Sequence, residues 1–154
     1  MLFKRATVAD IPGMSWVRMA VKENVLSNPD LVTPESYREM LEEKGAGWVC
    51  EINESIVGFS IVDLSDLNIW ALFVDPEHDR KGVGRKLHDL MLKWSFSQGI
   101  DKLWLSTSPG TRAETFYHKA GWQQTGFTKS GEVRFEMTRE KYKTIVPTYQ
   151  QSTN

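Results

Sequence analysis

The stretch 72-LFVDPEHDRKGVGRKL-87 joins an apolar, strand-like run to the start of an amphipathic helix. Aromatic and branched residues over 68–74 predict a strand that ends before Pro76. After the loop, Val83, Leu87 and Met91 recur at helical spacing, which predicts a helix that ends near residue 99.

The junction contains two glycines separated by one residue, and it lacks both the Walker A pattern and the three-glycine dinucleotide fingerprint. Glycines at such a turn let backbone N–H groups converge on an anion, and a helix N-terminus adds unpaired N–H groups and a favourable dipole. Four cations flank the glycines: Arg80, Lys81, Arg85 and Lys86. This favours a pyrophosphate, but a glycine-assisted turn before a solvated basic helix start is the commoner structure for Gly-x-Gly alone.

The remaining chain predicts the order strand, two helices, three strands, helix, strand, helix, two strands. Asp10 is expected to cap a helix over about 11–25, and Thr33 with Pro34 to start the next one. Thr111 and Glu114 are expected to form a capping box, and Gly121 to end that helix. The predicted strands are 2–8, 48–52, 55–64, 68–74, 102–106 and a closing hairpin over 122–139. The strand 102–106 is expected to lie parallel to 68–74, because a helix separates them.

Length, composition and charge limit the classes of function that this chain can have. The 154 residues fit one domain, with 40% hydrophobic residues and six Trp. A net charge of −1 provides no global field toward nucleic acid or an anionic membrane, so neither is expected as a partner. Cys50 is the only cysteine, which excludes an intrachain disulfide and a cysteine metal cage. The three histidines lack metal-ligand spacing, and no apolar segment has the length of a signal peptide or membrane span, so a cytoplasmic protein is expected.

Another segment, 112-RAETFYHKAGW-122, lies about thirty residues beyond the glycine loop. Together the two segments resemble the GNAT superfamily of N-acetyltransferases. The glycine loop is similar to that family's acetyl-CoA loop, where Gln or Arg, two residues, Gly, any residue, and Gly or Ala follow a strand ending in Val-x-Pro. The segment 112–122 is similar to the family's later helix, with Ala, then Phe-Tyr, then Gly and an aromatic residue.

The resemblance implies an α/β (α+β) fold with one domain over 1–140 and a polar tail over 141–154. Its central mixed, mostly antiparallel sheet would have about seven strands flanked by about four helices. The implied activity is transfer of the acetyl group of acetyl-CoA to a primary amine by direct attack in a ternary complex, without a metal. A non-catalytic acyl-CoA-binding module is the alternative.

The resemblance also assigns roles to residues. Tyr117 would lie beside the thioester sulfur and act as the general acid toward the leaving thiolate. Phe73 and Val74 would present backbone N–H groups to the pantetheine arm and the acetyl carbonyl. The pyrophosphate would be held by backbone N–H groups of Arg80, Lys81, Gly82, Val83, Gly84 and Arg85.

Two positions depart from the family pattern. Asp79 stands where the family has Gln or Arg, and we expect its carboxylate to face solvent or a neighbouring cation, with its N–H still usable. Gly110 stands where the family often has Asn, so a side-chain contact to the coenzyme is absent there. These departures, with the unidentified base, keep the binding-module alternative open.

The amine acceptor is expected to bind against the first two helices and the strand 68–74. Trp16 and Trp70 are candidates for its walls, although core packing is the commoner role of such residues. The acceptor class stays open between a small amine, an amino acid, an aminoglycoside-like cation and a protein amino group. Glu35, Asp63 and Asp66 are candidate bases but are more typical of solvated caps and turns. A homodimer is compatible with the resemblance only.

Overall fold

The computed structural model of the protein describes residues 1–21, 32–79 and 81–146. The chain divides into two units, Met1–Ser97 and Gln98–Asn154. The described part of the first unit contains β1 (Leu2–Arg5), α1 (Ile11–Ala20), α2 (Pro34–Glu39), β2 (Gly45–Ile52), β3 (Ser55–Asp63), β4 (Asn68–Val74) and α3 (Val83–Ser97). The described part of the second contains β5 (Lys102–Thr107), α4 (Arg112–Lys119), β6 (Gln123–Phe127), β7 (Val133–Thr138) and α5 (Arg139–Ile145). The predicted α/β class with about seven strands is confirmed.

The first four strands are antiparallel neighbours in the order β1-β2-β3-β4, and the short connections between β2, β3 and β4 make these three strands a meander. The central strand β3 is buried over almost its whole length. Phe59 and Ile61 belong to one apolar cluster with Met14 and Val17 of α1. Because strand side chains alternate, the residues between them face the opposite side of the sheet.

That opposite side of β3 carries α3. The hydroxyl of Ser60 donates to the carbonyl oxygen of Leu87 at 3.2 Å. A Cβ added at Gly58 would lie 3.0 Å from Val83 Cγ1 and 3.1 Å from Leu87 Cδ1. A side chain at Gly58 would therefore have to displace Val83 or Leu87 by a few tenths of an ångström, and glycine allows the first turn of α3 to lie this close to the sheet.

The strand β4 is irregular at Trp70. Its neighbours Ile69 and Ala71 pair with consecutive residues of β3, so Trp70 is the extra residue of a β-bulge. Bulges bend a strand and redirect its side chains. The bulge thus lies inside the strand that the sequence places at the acceptor site.

The helix α1 differs from its prediction at both ends. The carboxylate of Asp10 accepts a hydrogen bond from the backbone N–H of Thr7 at 2.9 Å, so Asp10 does not cap α1 with its side chain. The last helical residue is Ala20, because Val21 is already extended with φ −83° and ψ 120°. A β-branched residue favours that conformation. The predicted residues 22–25 lie outside the described residues.

The helix α2 begins as predicted. The Thr33 hydroxyl accepts from the N–H of Ser36 at 3.1 Å, and Ser36 Oγ accepts from the N–H of Thr33 at 2.8 Å. Pro34 occupies the first helical position. The helix continues as a π-turn over Met40–Lys44, and Gly45 already begins β2. Gly45 is thus the residue at which the helix ends.

We expect Thr33→Ala to lower the free energy of unfolding by about 1 kcal/mol, because one end of α2 loses its side-chain acceptor. Chemical denaturation monitored by circular dichroism measures the change. Thr33→Ser is the matched control, since it keeps the hydroxyl, and should stay within about 0.5 kcal/mol of wild type. Equal stability of the alanine and serine variants would contradict the capping role.

In the second unit the strands follow the order β5-β7-β6, with both neighbouring pairs antiparallel. The closing hairpin is thus confirmed. Gly121 has φ +94°, and the N–H groups of Gly121 and Trp122 donate to the carbonyls of His118 and Tyr117. These two bonds form the Schellman motif that ends α4, which requires glycine at this position.

The helix α5 occupies the first part of the predicted polar tail, and its Tyr142 is buried. Residues 147–154 lie outside the described residues, and a domain boundary at residue 140 stays a prediction. The parallel direction expected for β5 relative to β4 also stays a prediction. None of the described helices is long and apolar enough to cross a bilayer.

Candidate active site

The glycine loop leads from β4 into the N-terminus of α3. Gly82 adopts φ +80°, and a Cβ added there would meet no atom within 4 Å, so its surface is open. The first hydrogen bond of the helix runs from the N–H of Lys86 to the carbonyl of Gly82 at 3.1 Å. The N–H groups of Val83, Gly84 and Arg85 precede it and have no acceptor within the helix. This end of α3 thus offers three backbone donors beside an open glycine.

The cations around these donors are not equivalent. Arg85 directs Nε to the carboxylate of Asp89 at 3.2 Å and remains more than half exposed. Lys81 and Lys86 are exposed and form no ion pair within the described part of the chain. Arg80, the first predicted coenzyme contact, lies outside the described residues. Two lysine charges therefore remain available to an anion at this loop.

Asp79, the departure from the family pattern, is partly buried. Its N–H donates to the carbonyl of Pro76 at a long 3.4 Å, closing the short helical turn Pro76–His78. We predicted this N–H to be available, but it is engaged within the turn. The preceding Asp75 is buried, accepts from the N–H of Glu77 and lies 3.4 Å from His78 Nδ1. These contacts fix the exit from β4.

The last residues of β4 are partly exposed. Val74 pairs with Gly58 and would lie 3.4 Å from a Cβ at Gly84, so it contacts the start of α3. Phe73 packs on Phe59 with ring centroids 5.7 Å apart. Both predicted pantetheine contacts therefore lie on the same stretch of backbone as the loop.

Tyr117 lies in α4 of the second unit and is 6% exposed. Its ring contacts Phe116, Trp122 and Phe135 at centroid distances of 5.2, 5.6 and 6.0 Å. Burial raises the pKa of the Tyr117 phenol well above its ordinary value. The phenol is therefore protonated at neutral pH.

The turn before α4 forms only half of the predicted capping box. The Thr111 hydroxyl accepts from the N–H of Glu114 at 3.3 Å. The Glu114 carboxylate accepts from the N–H of Gly110 at 2.8 Å instead of from Thr111. Gly110 has φ +77°, a left-handed conformation that favours glycine. The position where the family often has Asn is thus occupied by a glycine-dependent turn.

A family model described as the acetyltransferase (GNAT) family matches residues 15–122. The chain belongs to this family. Among curated proteins, N-acetyltransferase 8 of Homo sapiens is 32% identical over 101 residues, which are 58% of this chain and 44% of that protein. The match therefore spans less than half the length of this relative.

Solved structures of other GNAT-like proteins share the fold. The ribosomal-protein-alanine N-acetyltransferase of Brucella melitensis superposes with a TM-score of 0.72 and 19% identity, over 90% of this chain and 99% of that one. The PaiA N-acetyltransferase of Thermoplasma acidophilum, solved with coenzyme A, has a TM-score of 0.66 and 14% identity, over 90% and 99% of the two chains. The predicted GNAT-like fold is confirmed.

Two of the three candidate bases of this GNAT chain have structural roles. The Glu35 carboxylate pairs with Arg38, and its side chain is 61% exposed. Asp63 accepts from the N–H groups of Ser65 and Asp66 in the turn after β3. Within the described residues there is no cluster of three or more His, Cys, Asp or Glu that could hold a metal ion.

The two Trp candidates for the acceptor wall differ. Trp16 is 59% exposed, so the core packing that we considered commoner is wrong for it. Trp70 is half-buried and packs edge-on against Tyr37 at 5.3 Å. Arg18 of α1 lies over the rings of Trp70 and Phe73, and the sequence reasoning missed it. The sequence did contain one indication of this contact, because the basic residue Arg18 adjoins the apolar helical positions Met14 and Val17.

Proposed function

We propose that this GNAT chain is an N-acetyltransferase that moves the acetyl group of acetyl-CoA to a primary amine by direct attack in a ternary complex. The observation that carries the proposal is the N-terminus of α3, where three backbone N–H groups without helical acceptors adjoin the open Gly82. Such a terminus favours phosphate through its donors and its dipole. Lys81 and Lys86 add charge that a pyrophosphate would neutralise.

The chemistry asks three things of the protein. It must accept a neutral amine, since an alkyl ammonium with a pKa of about 10.4 has no lone pair. It must stabilise negative charge on the carbonyl oxygen, for which a backbone N–H at Phe73 or Val74 is proposed, and one such donor contributes roughly 3 kcal/mol. It must also support the departing thiolate.

For the last task we propose Tyr117. The amine nitrogen bonds to the carbonyl carbon, the carbon–sulfur bond breaks, and a proton from the nitrogen ends on the sulfur as free thiol. A phenol with a raised pKa is a poor net proton donor toward a thiol, whose pKa is about 8.5. Tyr117 is therefore expected to donate a hydrogen bond to the forming thiolate, while the proton itself originates from the amine.

The pH profile tests this assignment. We expect kcat to rise with pH as the amine loses its proton. We expect no decrease in kcat at any pH up to about 10, because the raised pKa of Tyr117 keeps the phenol protonated over this range. Steady-state rates between about pH 6 and 10 with one identified amine measure the profile. A falling limb below about pH 9 that disappears in Tyr117→Phe would contradict a protonated Tyr117.

Calorimetric titration with acetyl-CoA and desulfo-CoA, followed by a thiol-release screen over primary amines, tests the proposed function. Binding together with amine-dependent thiol release supports the transferase. Binding without release for any amine would favour the non-catalytic acyl-CoA-binding module, which Asp79, Gly110 and the unassigned base keep open. Absence of binding would contradict both.

The amine acceptor is proposed to be a small molecule or a protein amino group. A cytoplasmic location is also part of the proposal, supported by a single cysteine, Cys50, which is free and buried in β2. A homodimer stays a proposal that only the resemblance supports, and neither nucleic acid nor a membrane is proposed as a partner.

A further inference from the structure

Arg18 has unusual surroundings for a surface helix. Its guanidinium carbon lies 4.6 Å from the ring centroid of Phe73 and 5.8 Å from that of Trp70, both on β4. The nitrogens Nε and Nη1 are enclosed and have no hydrogen-bond partner within the described residues. The hydroxyl of Tyr37 is also enclosed, and it lies close enough to Arg18 for each group to shift the pKa of the other, but the two do not form a hydrogen bond of full geometry. Two nitrogens of Arg18 and the hydroxyl of Tyr37 are therefore enclosed without a well-formed hydrogen bond to any described residue.

The guanidinium groups of two other arginines in the same unit have partners or remain exposed to solvent. Arg38 is surrounded by the carboxylates of Glu35, Glu42 and Glu43. Arg5 lies between Trp48 and Trp94 at 5.3 and 5.2 Å, yet it is an exposed residue. Stacking on aromatic rings is thus compatible with a solvated guanidinium. Arg18 differs because two of its nitrogens, Nε and Nη1, are enclosed and have no acceptor in the part of the chain that the structure describes.

An enclosed guanidinium without an acceptor is unfavourable, because its charge and donors have lost water and gained nothing in return. Burial lowers the pKa of Arg18, with Tyr37 opposing the shift, yet an arginine stays charged at neutral pH. The planar fork of a guanidinium matches a carboxylate through two parallel hydrogen bonds. Binding a carboxylate would therefore satisfy the two Arg18 donors that have no partner among the described residues.

We propose that Arg18 binds a carboxylate of the amine acceptor, so that the acceptor is a small amine of the α-amino acid class. The inference rests on the proposed function, because the GNAT resemblance assigns the backbone of Phe73 and Val74 to the pantetheine arm and the acetyl carbonyl. The guanidinium carbon of Arg18 lies 4.6 Å from the ring centroid of Phe73, so Arg18 adjoins the strand that carries this backbone. A single guanidinium between aromatic rings suits one negative charge and an apolar side chain.

The same charge acts against other amines. An acceptor without a carboxylate arrives as an ammonium, and the fixed positive charge of Arg18 opposes its approach. An α-amino acid brings a compensating negative charge next to its amino group. Arg18 is thus expected to act as a specificity residue, and its effect should depend on whether the acceptor carries a carboxylate.

The first experiment compares α-amino acids with the amines obtained by removing their carboxyl group, using thiol release to measure kcat/KM. We expect the wild type to favour the carboxylate member of each pair by at least about 10-fold. Arg18→Gln should abolish this preference while retaining acetyl-CoA binding in calorimetry. Arg38→Gln, which removes an arginine from the next helix, should retain the preference.

A complementary measurement does not depend on catalysis. N-acetyl amino acids and their carboxamides are titrated into the protein, with and without coenzyme A, by calorimetry. We expect the carboxylate form to bind at least about 10-fold more tightly to the wild type, and Arg18→Gln to remove this difference. If acetyl-CoA fails to bind or no amine is acetylated, the proposed function fails, and the titration without coenzyme A still decides the role of Arg18.

Arg18→Met tests whether the side chain is merely structural. It keeps the apolar stem and much of the volume, so a packing or stacking role predicts unchanged carboxylate discrimination in both experiments. The inference predicts loss of discrimination together with a melting temperature that does not fall, because an enclosed charge without an acceptor is removed. Equal discrimination in wild type, Arg18→Gln and Arg18→Met would overturn the inference, as would a wild type that prefers the neutral partner of each pair.

Discussion

Tyr117→Phe lowers the turnover number by about 100-fold or more, and acetyl-CoA affinity stays within about threefold, if Tyr117 supports the leaving thiolate. The substitution removes one hydroxyl and retains the ring that packs against Phe116, Trp122 and Phe135. The thiolate then departs without a hydrogen-bond donor. Single-turnover rates with an identified amine, combined with calorimetry of acetyl-CoA, separate the chemical step from coenzyme binding.

A matched control is available in the same unit. Tyr142 in α5 is equally buried at 6% exposure but lies outside both family motifs. Tyr142→Phe should change the turnover number by less than about twofold, so a general effect of losing a buried hydroxyl is measured separately. If Tyr117→Phe turns over as fast as wild type, Tyr117 is a core residue only, as its burial alone would allow.

Local rules predicted the parts of the fold that depend on neighbouring residues. The cap at Thr33, the glycine stop at Gly121 and the meander of β2, β3 and β4 each follow from residues within a few positions of one another. The failure at Asp10 is of the same local kind. Thr7, three residues earlier, is the N-cap of the short turn that precedes α1, and the Asp10 carboxylate bonds back to Thr7.

The acceptor side could not be predicted in the same way, because it depends on contacts between distant segments. Arg18 acquires its surroundings only when α1 packs on β4, and the bulge at Trp70 determines which rings face it. Sequence spacing also cannot show that two nitrogens of Arg18 are enclosed without an acceptor among the described residues. Trp16 illustrates the reverse error, since an aromatic residue among apolar helical positions was expected in the core and is 59% exposed.

The strand β4 connects the two halves of the proposed chemistry within the first unit. Its last residue, Val74, contacts the start of α3, where the phosphate donors lie. One residue earlier, the ring of Phe73 faces Arg18. The backbone between these contacts is the stretch proposed to meet the acetyl group. The end of β4 thus connects the coenzyme loop to the strand position that contacts Arg18, the residue proposed to bind the carboxylate of the acceptor.

Gly84→Glu should weaken acetyl-CoA binding by about 30-fold or more while leaving the protein at least as stable. A carboxylate at this position lies in the first helical turn of α3, beside the donors proposed for the pyrophosphate. Two like charges about 4 Å apart repel by about 4 kcal/mol at an effective dielectric constant of about 20. Half of that energy already corresponds to about 30-fold in affinity.

The free energy of unfolding should rise although the affinity for acetyl-CoA falls, so a loss of binding cannot be attributed to unfolding. A glutamate in the first turn of a helix is favourable by about 0.3–1 kcal/mol, and glycine is a poor helix former. Lys93→Gln is the charge-matched control, because it also changes the net charge by −1 at an exposed position of α3. Gly84→Ala is the steric control, since its Cβ would make an ordinary 3.4 Å contact with Val74. If Gly84→Glu binds acetyl-CoA as tightly as the wild type, the anion binds elsewhere. If Gly84→Glu and Lys93→Gln lose the same affinity for acetyl-CoA, the effect comes from the net charge and not from this loop.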